Sequence, residues 1–269
     1  MAVFTDLSDN DRDEIAAAYG MSPLTSVIGL ADGDTETTYL FRSQRGEFIV
    51  TLFENGAEAF DLERAFLTME TLSAAGIPCP KTLRTLEGQA TMRASGKLVA
   101  VVSFVEGSPC ACASPAKCAD LGRHVAQIHR TLMRSCGRAK GSLPKGPIHG
   151  ALSPDNVFFL GDTVNGIINF RLRHDDVLAA ELAAVLVSWT MLQDGALDLA
   201  RAEAILAGYG GVRALEDSER QALPAFVLAA AARLLAESKD NTDLRGRALN
   251  AFLSVQRLSL SEPIVAGVA

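Results

Sequence analysis

Hydrophobic residues in the N-terminal part of the chain fall mostly in runs of β-branched and aromatic residues, which are typical of β-strands. Two runs rich in β-branched and aromatic residues, SVIGLADGDTETTYLFRS and GEFIVTLFE, flank turn-forming residues between Ser43 and Gly46. This pattern predicts a hairpin. The stretch KTLRTLEGQATMRASGKLVAVVSFVEG predicts further strands. Together these segments predict an antiparallel sheet over roughly residues 24–105.

Two segments of the same part have helical patterns. SDNDRDEIAAAYG offers Ser8 as N-cap, acidic residues in the first turn and Gly20 as a stop, which predicts a helix. AFDLERAFLTMETLSAAGI is amphipathic and is followed by prolines, so a second helix is predicted to pack on the sheet. Its apolar residues at helical spacing are Leu62, Phe66, Met69 and Leu72.

The pattern changes near residue 106, where GSP breaks the strand spacing and helical spacing takes over. Four helices are predicted, in SPAKCADLGRHVAQIHRTLMRS, DVLAAELAAVLVSWTML, DLARAEAILAGYG and ERQALPAFVLAAAARLLAESK. The sequence therefore predicts two regions: a β-rich N-terminal lobe, residues 1–106, and a helical C-terminal lobe, residues 107–269. Residues 103–107 are predicted to form the hinge between them.

Composition and charge exclude several classes of function. The 269 residues are 48% hydrophobic and 21% charged, with a net charge of −7, as in ordinary globular proteins. Without a basic stripe, nucleic acid is not an expected partner. The acidic N-terminus lacks a signal-peptide layout, and the apolar runs are short, so we expect no membrane span and a cytoplasmic location.

The five cysteines are an odd number in a chain without an export signal, which favours free thiols. PCACASPAKC places three of them at a C-x-C-x5-C spacing. That spacing is not a usual zinc pattern, and no histidine lies nearby in the sequence. We therefore expect no metal site there.

One segment, GPIHGALSPDNVFFLGDTVNGIINFRLRHDD, resembles a kinase catalytic segment. In HGALSPDNVFFLGD a histidine begins a loop that ends at Asn156, and GIINF follows after a turn. These runs are similar to H-x-D-L-F-P-D-N-V-F-F-L-G-D and G-L-I-D-F of the homoserine kinases in the aminoglycoside/choline phosphotransferase superfamily. DDVLAAELAAVLVSW is similar to the family's next helix. The resemblance implies a bilobal, protein-kinase-like α/β (α+β) fold with its catalytic loop at residues 149–156.

The same resemblance exposes two lost carboxylates. The family's loop aspartate, which accepts the proton of the substrate hydroxyl, is replaced by Ala151. The aspartate that holds Mg²⁺ is replaced by Asn169, a neutral oxygen ligand of weaker affinity. Asn156, the other metal-side ligand, is retained. The resemblance assigns His149 to bracing the loop and Glu181 to tying the next helix to it.

The positions that the resemblance assigns to ATP are also altered. Gly33 lies in a phosphate-facing loop that is acidic, which opposes phosphate binding. Thr51 stands where a basic residue is expected, although its usual helix partner, Glu63, is present. Ser103 and Val105 belong to the hinge that would face adenine. We therefore expect no cofactor, and ATP with Mg²⁺ only if activity remains.

A deletion separates the chain further from these kinases. The family carries a helical insert between the helix that here ends near His129 and the catalytic loop, and this chain crosses the distance in under twenty residues. Apolar surface that the insert covers would then be exposed to a protein partner. On the helix before the deletion, His124 and His129 are expected to be a surface and a half-buried histidine.

Two functions remain open from the sequence. One is a pseudokinase that has lost phosphoryl transfer and binds a protein partner. The alternative is a divergent ATP-dependent kinase of a small alcohol such as homoserine, choline or an aminoglycoside. Loss of a positioned base costs about 10² to 10⁴-fold in rate, so Ala151 and Asn169 favour the pseudokinase.

Overall fold

The computed structural model describes eight ranges of the chain: 5–30, 36–54, 57–110, 112–133, 142–170, 175–192, 194–238 and 241–261. The chain divides into two compact units, Met1–Val105 and Glu106–Ala269. Within these described ranges, no helix is long and apolar enough to cross a membrane. Antiparallel sheets combine with a helical part, which confirms the predicted α+β class.

The first unit is built on one antiparallel sheet with strand order β1-β2-β3-β6-β4, and β5 also pairs with β6. Its elements are α1 Asp9–Ala18, β1 Leu24–Leu30, β2 Glu36–Ser43, β3 Gly46–Phe53, α2 Ala59–Ala74, β4 Thr82–Leu83, β5 Thr91–Ala94 and β6 Lys97–Ser103. The predicted hairpin is β2–β3, with Ser43 opposite Gly46. The first predicted run forms two strands, β1 and β2, because the chain reverses between Leu30 and Glu36.

The helices of this unit follow the predicted capping and spacing. Ser8 caps α1 in a reciprocal capping box with Asp11, so two backbone N–H groups at the helix start are satisfied. Tyr19, just beyond α1, is buried and donates its hydroxyl to the carbonyls of Ala90 or Val99, each 3.1 Å away. The predicted face of α2 is buried at Phe66, Met69 and Leu72 and half-buried at Leu62.

The second unit combines five helices with two small sheets, β10-β9-β7 and β11-β8. Its elements are β7 Ser108–Pro109, α3 Pro115–Leu132, β8 Lys145–Pro147, β9 Val157–Leu160, β10 Thr163–Ile167, β11 Asp175–Val177, α4 Leu178–Thr190, α5 Leu199–Gly210, α6 Asp217–Glu237 and α7 Thr242–Ser261. A 3₁₀ turn, Pro154–Asn156, precedes β9.

Helix α7 was not among the four predicted helices. It begins where the Asn241 side chain accepts from the N–H of Leu244 at 2.9 Å, and it packs against α6. Its sequence contains Gly246, which lowers helix propensity. Tertiary packing therefore supports a helix that the local pattern left unassigned. The expected loose tail, SEPIVAGVA, starts in α7 and mostly lies outside the described residues.

Two glycines allow α3 and α5 to cross in close contact. A Cβ at Gly122 would overlap the carbonyl oxygen of Ile205, and a Cβ at Gly208 would overlap that of Ala119. Each helix therefore presents a glycine to the backbone of the other. The close contact between α3 and α5 sets the distance between the side chains that the two helices bring together near the catalytic loop.

Candidate functional site

The loop at residues 149–156 lies between β8 and β9, and backbone and amide groups hold its centre. The carbonyl of Ala151 accepts from Asn156 Nδ2 at 2.8 Å and from the N–H of Ser153 at 2.9 Å. Its side chain is a methyl group, which accepts no proton. Asp155, the acidic residue of this loop, is exposed. The loop is thus well ordered by hydrogen bonds around a position that lacks a base.

His149 is fully engaged in bracing this loop. Its Nδ1 accepts from the N–H of Ala151 at 3.1 Å, so the ring proton lies on Nε2, which donates to the carbonyl of Ile168 at 3.0 Å. The buried ring stacks at a tilt on Phe170, with centroids 4.3 Å apart. A ring with both nitrogens in use does not replace the missing base, and the predicted bracing role is confirmed.

Glu181 of α4 ties that helix to the catalytic loop, as predicted. Its Oε1 accepts from the N–H of Gly150 at 2.6 Å, and its Oε2 lies 2.8 Å from His129 Nε2. Burial raises the pKa of Glu181, but the hydrogen bonds that its carboxylate accepts from His129 and from the Gly150 N–H outweigh this effect. The pKa therefore lies below its ordinary value, and the buried carboxyl is ionised.

Trp189 provides a second tie from α4 to the loop. Its buried indole N–H donates to the carbonyl of Leu152 at 2.8 Å, and its ring meets Phe159 edge-on. Trp189 is a core residue by its burial, and the hydrogen bond gives it a positioning role as well. Glu181, His129 and Trp189 are called the loop support below.

A buried polar chain continues the loop support beyond His129. Tyr209 Oη lies 2.8 Å from His129 Nδ1 and accepts from Arg213 Nη1 at 2.9 Å. Arg213 Nη2 in turn donates to the buried Glu219 at 2.9 Å. Because the Tyr209 oxygen accepts from Arg213, its own proton is directed to His129 Nδ1. Helices α3, α4, α5 and α6 are thereby connected to the catalytic loop.

The histidine prediction was wrong, and this polar chain gives the reason. Both His124 and His129 are buried, at 5% and 0% exposure. His124 Nε2 lies 3.5 Å from Asp120 one turn earlier on α3. The sequence did contain a signal for the burial of His129. Glu181 is a carboxylate in an otherwise apolar helix, and a buried charge requires a partner.

Asn156 and Asn169, the two positions that the resemblance assigns to Mg²⁺ binding, are hydrogen-bonded to each other. Asn169 Nδ2 donates to Asn156 Oδ1 in a long hydrogen bond of 3.5 Å, while Asn156 Nδ2 is directed to Ala151 and to Ser153 Oγ. These groups do not fit Mg²⁺, which favours carboxylates and phosphates, because both side chains are neutral and one oxygen already has a donor. Ala151, Asn156 and Asn169 are called the reacting positions below.

The backbone at Asn169 has a positive φ of 64°. Asparagine and aspartate tolerate this left-handed conformation better than most residues. A carboxylate at this position would therefore need no change of the backbone.

The predicted ATP positions of the first unit lie in regular elements. Thr51 is half-buried in β3, opposite Thr38 and Ala100. Glu63 of α2 forms an ion pair with Arg84 Nη1 at 2.8 Å, and Arg84 also pairs with Glu70. An arginine beyond β4 thus engages the carboxylate that was assigned to a partner in β3. Gly33 lies outside the described residues.

The backbone of the predicted hinge is partly engaged within the first unit. Ser103 donates its N–H to the carbonyl of Lys81 at 2.8 Å, and Phe104 donates to that of Glu47 at 2.9 Å. The Ser103 hydroxyl oxygen accepts from the N–H of Lys81 at 2.9 Å. Adenine recognition by Ser103 and Val105 stays a prediction.

The cysteines that the structure describes are free: Cys79, Cys110, Cys112 and Cys118. Cys136 lies outside the described ranges. Among the side chains that the structure describes, no group of three or more His, Cys, Asp or Glu residues is arranged to hold a metal ion.

Comparison with known proteins gives consistent matches over most of the chain. The model of a family described as "Phosphotransferase enzyme family" matches residues 26–142 and 132–215. A homoserine kinase of Gluconacetobacter diazotrophicus is 32% identical over 279 residues, covering 87% of this chain and 87% of the relative. One of Azorhizobium caulinodans is 32% identical, covering 87% and 86%.

Solved structures show the same fold at low identity. An aminoglycoside phosphotransferase of Alicyclobacillus acidocaldarius has a TM-score of 0.71 at 13% identity, covering 96% of this chain and 97% of that one. A microcompartment-associated aminopropanol kinase gives 0.70 at 16%, with coverage of 95% and 99%. An amicoumacin kinase gives 0.68 at 14%, covering 96% of both chains.

Proposed function

Because the chain belongs to the phosphotransferase enzyme family, as a homoserine-kinase-like member, we propose that it is a pseudokinase of this family. In this proposal it has lost phosphoryl transfer and acts by binding a protein partner. The family is of the ATP- and Mg²⁺-dependent kinase type. Its chemistry consists mainly of orienting the acceptor hydroxyl and neutralising phosphate charge.

The observation that carries the proposal is the methyl group of Ala151 at the centre of an ordered loop. The Ala151 side chain has no oxygen or nitrogen atom that can take up the proton of an acceptor hydroxyl in this position. The nearby His149 ring has both nitrogens committed to backbone groups. The loss of a base alone costs about 10² to 10⁴-fold in rate.

The metal side of the site supports the same proposal. Asn156 and Asn169 supply two neutral amides that are bonded to each other. Bringing Mg²⁺ to them would break that bond and leave the charge of the ion without a carboxylate. The base and the metal ligand act on the same transition state, so the rate losses caused by their absence need not add. Each absence nevertheless lowers the rate of turnover.

A second candidate is a divergent ATP-dependent kinase of a small alcohol. The observation in its favour is the 32% identity with homoserine kinases over 87% of the chain. The family comparisons support this candidate more directly than they support loss of catalysis. It requires a proton acceptor other than Ala151 and a metal site other than the two amides.

A transfer assay separates the two candidates. The unaltered chain is incubated with γ-labelled ATP and Mg²⁺ and, in turn, homoserine, choline and an aminoglycoside. The pseudokinase proposal predicts no labelled product above the protein-free background. Product formation with one acceptor would contradict it and would select the kinase.

The proposed protein partner is expected to contact the region after α3. Met133 at the end of that helix is 40% exposed. Affinity capture should therefore recover a partner with the unaltered chain and with Leu86→Glu in the first unit. Met133→Glu should lose it, and equal capture by both variants would contradict this contact.

A further inference from the structure

Three thiols lie close together at the start of the second unit. Cys110 and Cys112 follow β7, and Cys118 lies in the first turn of α3. Cys112 is exposed, Cys110 is half-buried and Cys118 is buried. Cys110 and Cys112 lie near enough to Cys118 to act electrostatically on its thiol. The proposed function uses none of these groups.

Each of the two more accessible thiols contacts a cation. Arg201 Nη2 donates to Cys112 Sγ at 3.0 Å, and Lys117 Nζ donates to Cys110 Sγ at 3.6 Å. Reactive cysteines are typically found in partly exposed surroundings beside Lys or Arg side chains. Both thiols therefore have the setting of reactive rather than structural cysteines.

Both cations are held in place by other contacts. Arg201 Nε pairs with Asp198 Oδ2 at 3.2 Å, and Asp198 is itself fixed as the N-cap of α5. The Lys117 ammonium lies over the ring of Phe159, 5.2 Å from its centroid. Holding the cations reduces the entropy that a mobile surface side chain would lose on pairing with a thiolate.

Cys118 has the opposite character. Burial raises the pKa of its thiol to about 11, so at neutral pH it remains protonated and poorly nucleophilic. Burial likewise raises the pKa of Cys79, in the first unit, to about 11. These two cysteines provide internal references for a reaction that is selective for Cys110 and Cys112.

We propose that Cys112 and Cys110 form a thiol–disulfide exchange site for low-molecular-weight disulfides. The Cys112 thiolate attacks one sulfur of the disulfide, forms a mixed disulfide and releases the other half as a thiolate. Cys110, having given its proton to solvent, attacks the Cys112 sulfur and displaces the second half. The protein loses two electrons to form a Cys110–Cys112 disulfide, and the small disulfide gains them as two thiols.

The chain spacing permits this closure. Residues two apart have Cα atoms at most about 7 Å apart, and disulfides span about 4.4–6.8 Å. A disulfide between such near neighbours closes a very small ring, so added thiol should readily reverse it. The site is therefore a reversible oxidative modification site near the start of the second unit.

The test uses the full chain carrying Cys136→Ser, because Cys136 lies outside the described residues, and a neutral dipyridyl disulfide. The fast phase should release two thiopyridones per chain and leave a protein without adduct and two hydrogens lighter by mass. In Cys110→Ser, one thiopyridone should be released and the adduct should remain on Cys112. Cys118→Ser should behave like the parent. A lasting Cys112 adduct in the parent, or equal reaction of Cys79, would overturn the proposal.

Arg201→Gln tests the cation contact without removing a thiol. The fast phase should slow about three- to five-fold, which is the upper end for an exposed charge pair, while Arg201→Lys should retain most of the rate. The matched control is Arg233→Gln, since Arg233 is exposed on α6 and pairs with Glu237. Equal rates in Arg201→Gln and the control, with both variants folded by circular dichroism, would overturn the role of Arg201.

Discussion

The loop support and the reacting positions differ in the chemical groups that their side chains carry. The support carries a buried, ionised Glu181 with a full set of partners, and it reaches through His129 to three further helices. The reacting positions, two in the catalytic loop and one after β10, carry a methyl group and two neutral amides. Residues that fix the loop are thus present, while Ala151 and Asn169 stand where the family resemblance expects carboxylates.

The two sets also differ in their contribution to stability. Removing one partner from a buried charged pair leaves an uncompensated charge and costs about 3–5 kcal/mol. Changing an exposed neutral side chain such as Asn169, which makes a single long hydrogen bond, costs little. Stability measurements on variants therefore report on the support, and ligand measurements report on the reacting positions.

The largest expected effect is from Glu181→Ala. The variant leaves His129 and the Gly150 N–H without their acceptor inside the protein. The free energy of unfolding in urea should fall by about 3–5 kcal/mol. Glu203→Ala on the exposed face of α5 is the control and should change it by less than about 0.5 kcal/mol. Similar losses of unfolding free energy in the two variants would contradict the role of Glu181 in stabilising the loop support.

The next effect concerns the helix crossing that spaces the support. In Gly122→Ala the new Cβ meets the Ile205 carbonyl, so α3 and α5 must separate and strain the contact between His129 and Tyr209. We expect a loss of about 1–3 kcal/mol in unfolding free energy. Gly246→Ala, which meets nothing within 4 Å, should leave stability unchanged or raise it. The crossing would be less tight than described if both variants retained full stability.

Trp189→Phe sharpens the comparison by removing the indole hydrogen bond together with part of the buried ring. The carbonyl of Leu152 then loses its buried donor, which should cost about 1–3 kcal/mol. Far-UV circular dichroism should remain unchanged, since the ring still packs in the core. An unfolding midpoint equal to that of the parent would show that a water molecule replaces the indole N–H as the donor to the Leu152 carbonyl.

Acid should weaken the support through Glu181. Its pKa in the folded protein lies below the value of about 4.3 for an unfolded glutamate. The stabilisation is therefore present above the unfolded value and is lost as the pH falls through the lowered folded value. Urea unfolding should show a slope with pH in this acidic range that is smaller in Glu181→Gln. An identical slope in both proteins would place the acid sensitivity elsewhere.

Much of this contrast was accessible from the sequence. Enough of the family pattern remains in HGALSPDNVFFLGD and GIINF to locate Ala151, Asn156 and Asn169 without a structure. Glu181 was predicted to tie its helix to the loop, and the Gly150 contact confirms it. The helices and strands with clear spacing and caps were found because local pattern and tertiary structure agree there.

What the sequence did not predict depends on pairs that are distant along the chain. His129 and Tyr209 are 80 residues apart, and their contact needs the glycine-mediated crossing of α3 and α5. Arg84 pairs with Glu63 only because a two-residue strand, β4, places it beside α2. The cations next to Cys110 and Cys112 are of the same kind, since Arg201 reaches Cys112 from another helix.

The most direct test of the contrast is the Mg²⁺ dependence of a thermal shift with ATP. The unaltered chain should show no increase in Tm on adding Mg²⁺, because the reacting positions offer only amides. Ala151→Asp with Asn169→Asp should gain a Mg²⁺-dependent increase, since φ at Asn169 accommodates aspartate, yet show little or no transfer to homoserine. Ala225→Asp with Gln221→Glu, exposed positions on α6, adds the same charge elsewhere and should gain nothing. A Mg²⁺-dependent shift in the unaltered chain, with a micromolar Kd for ATP, would contradict the account.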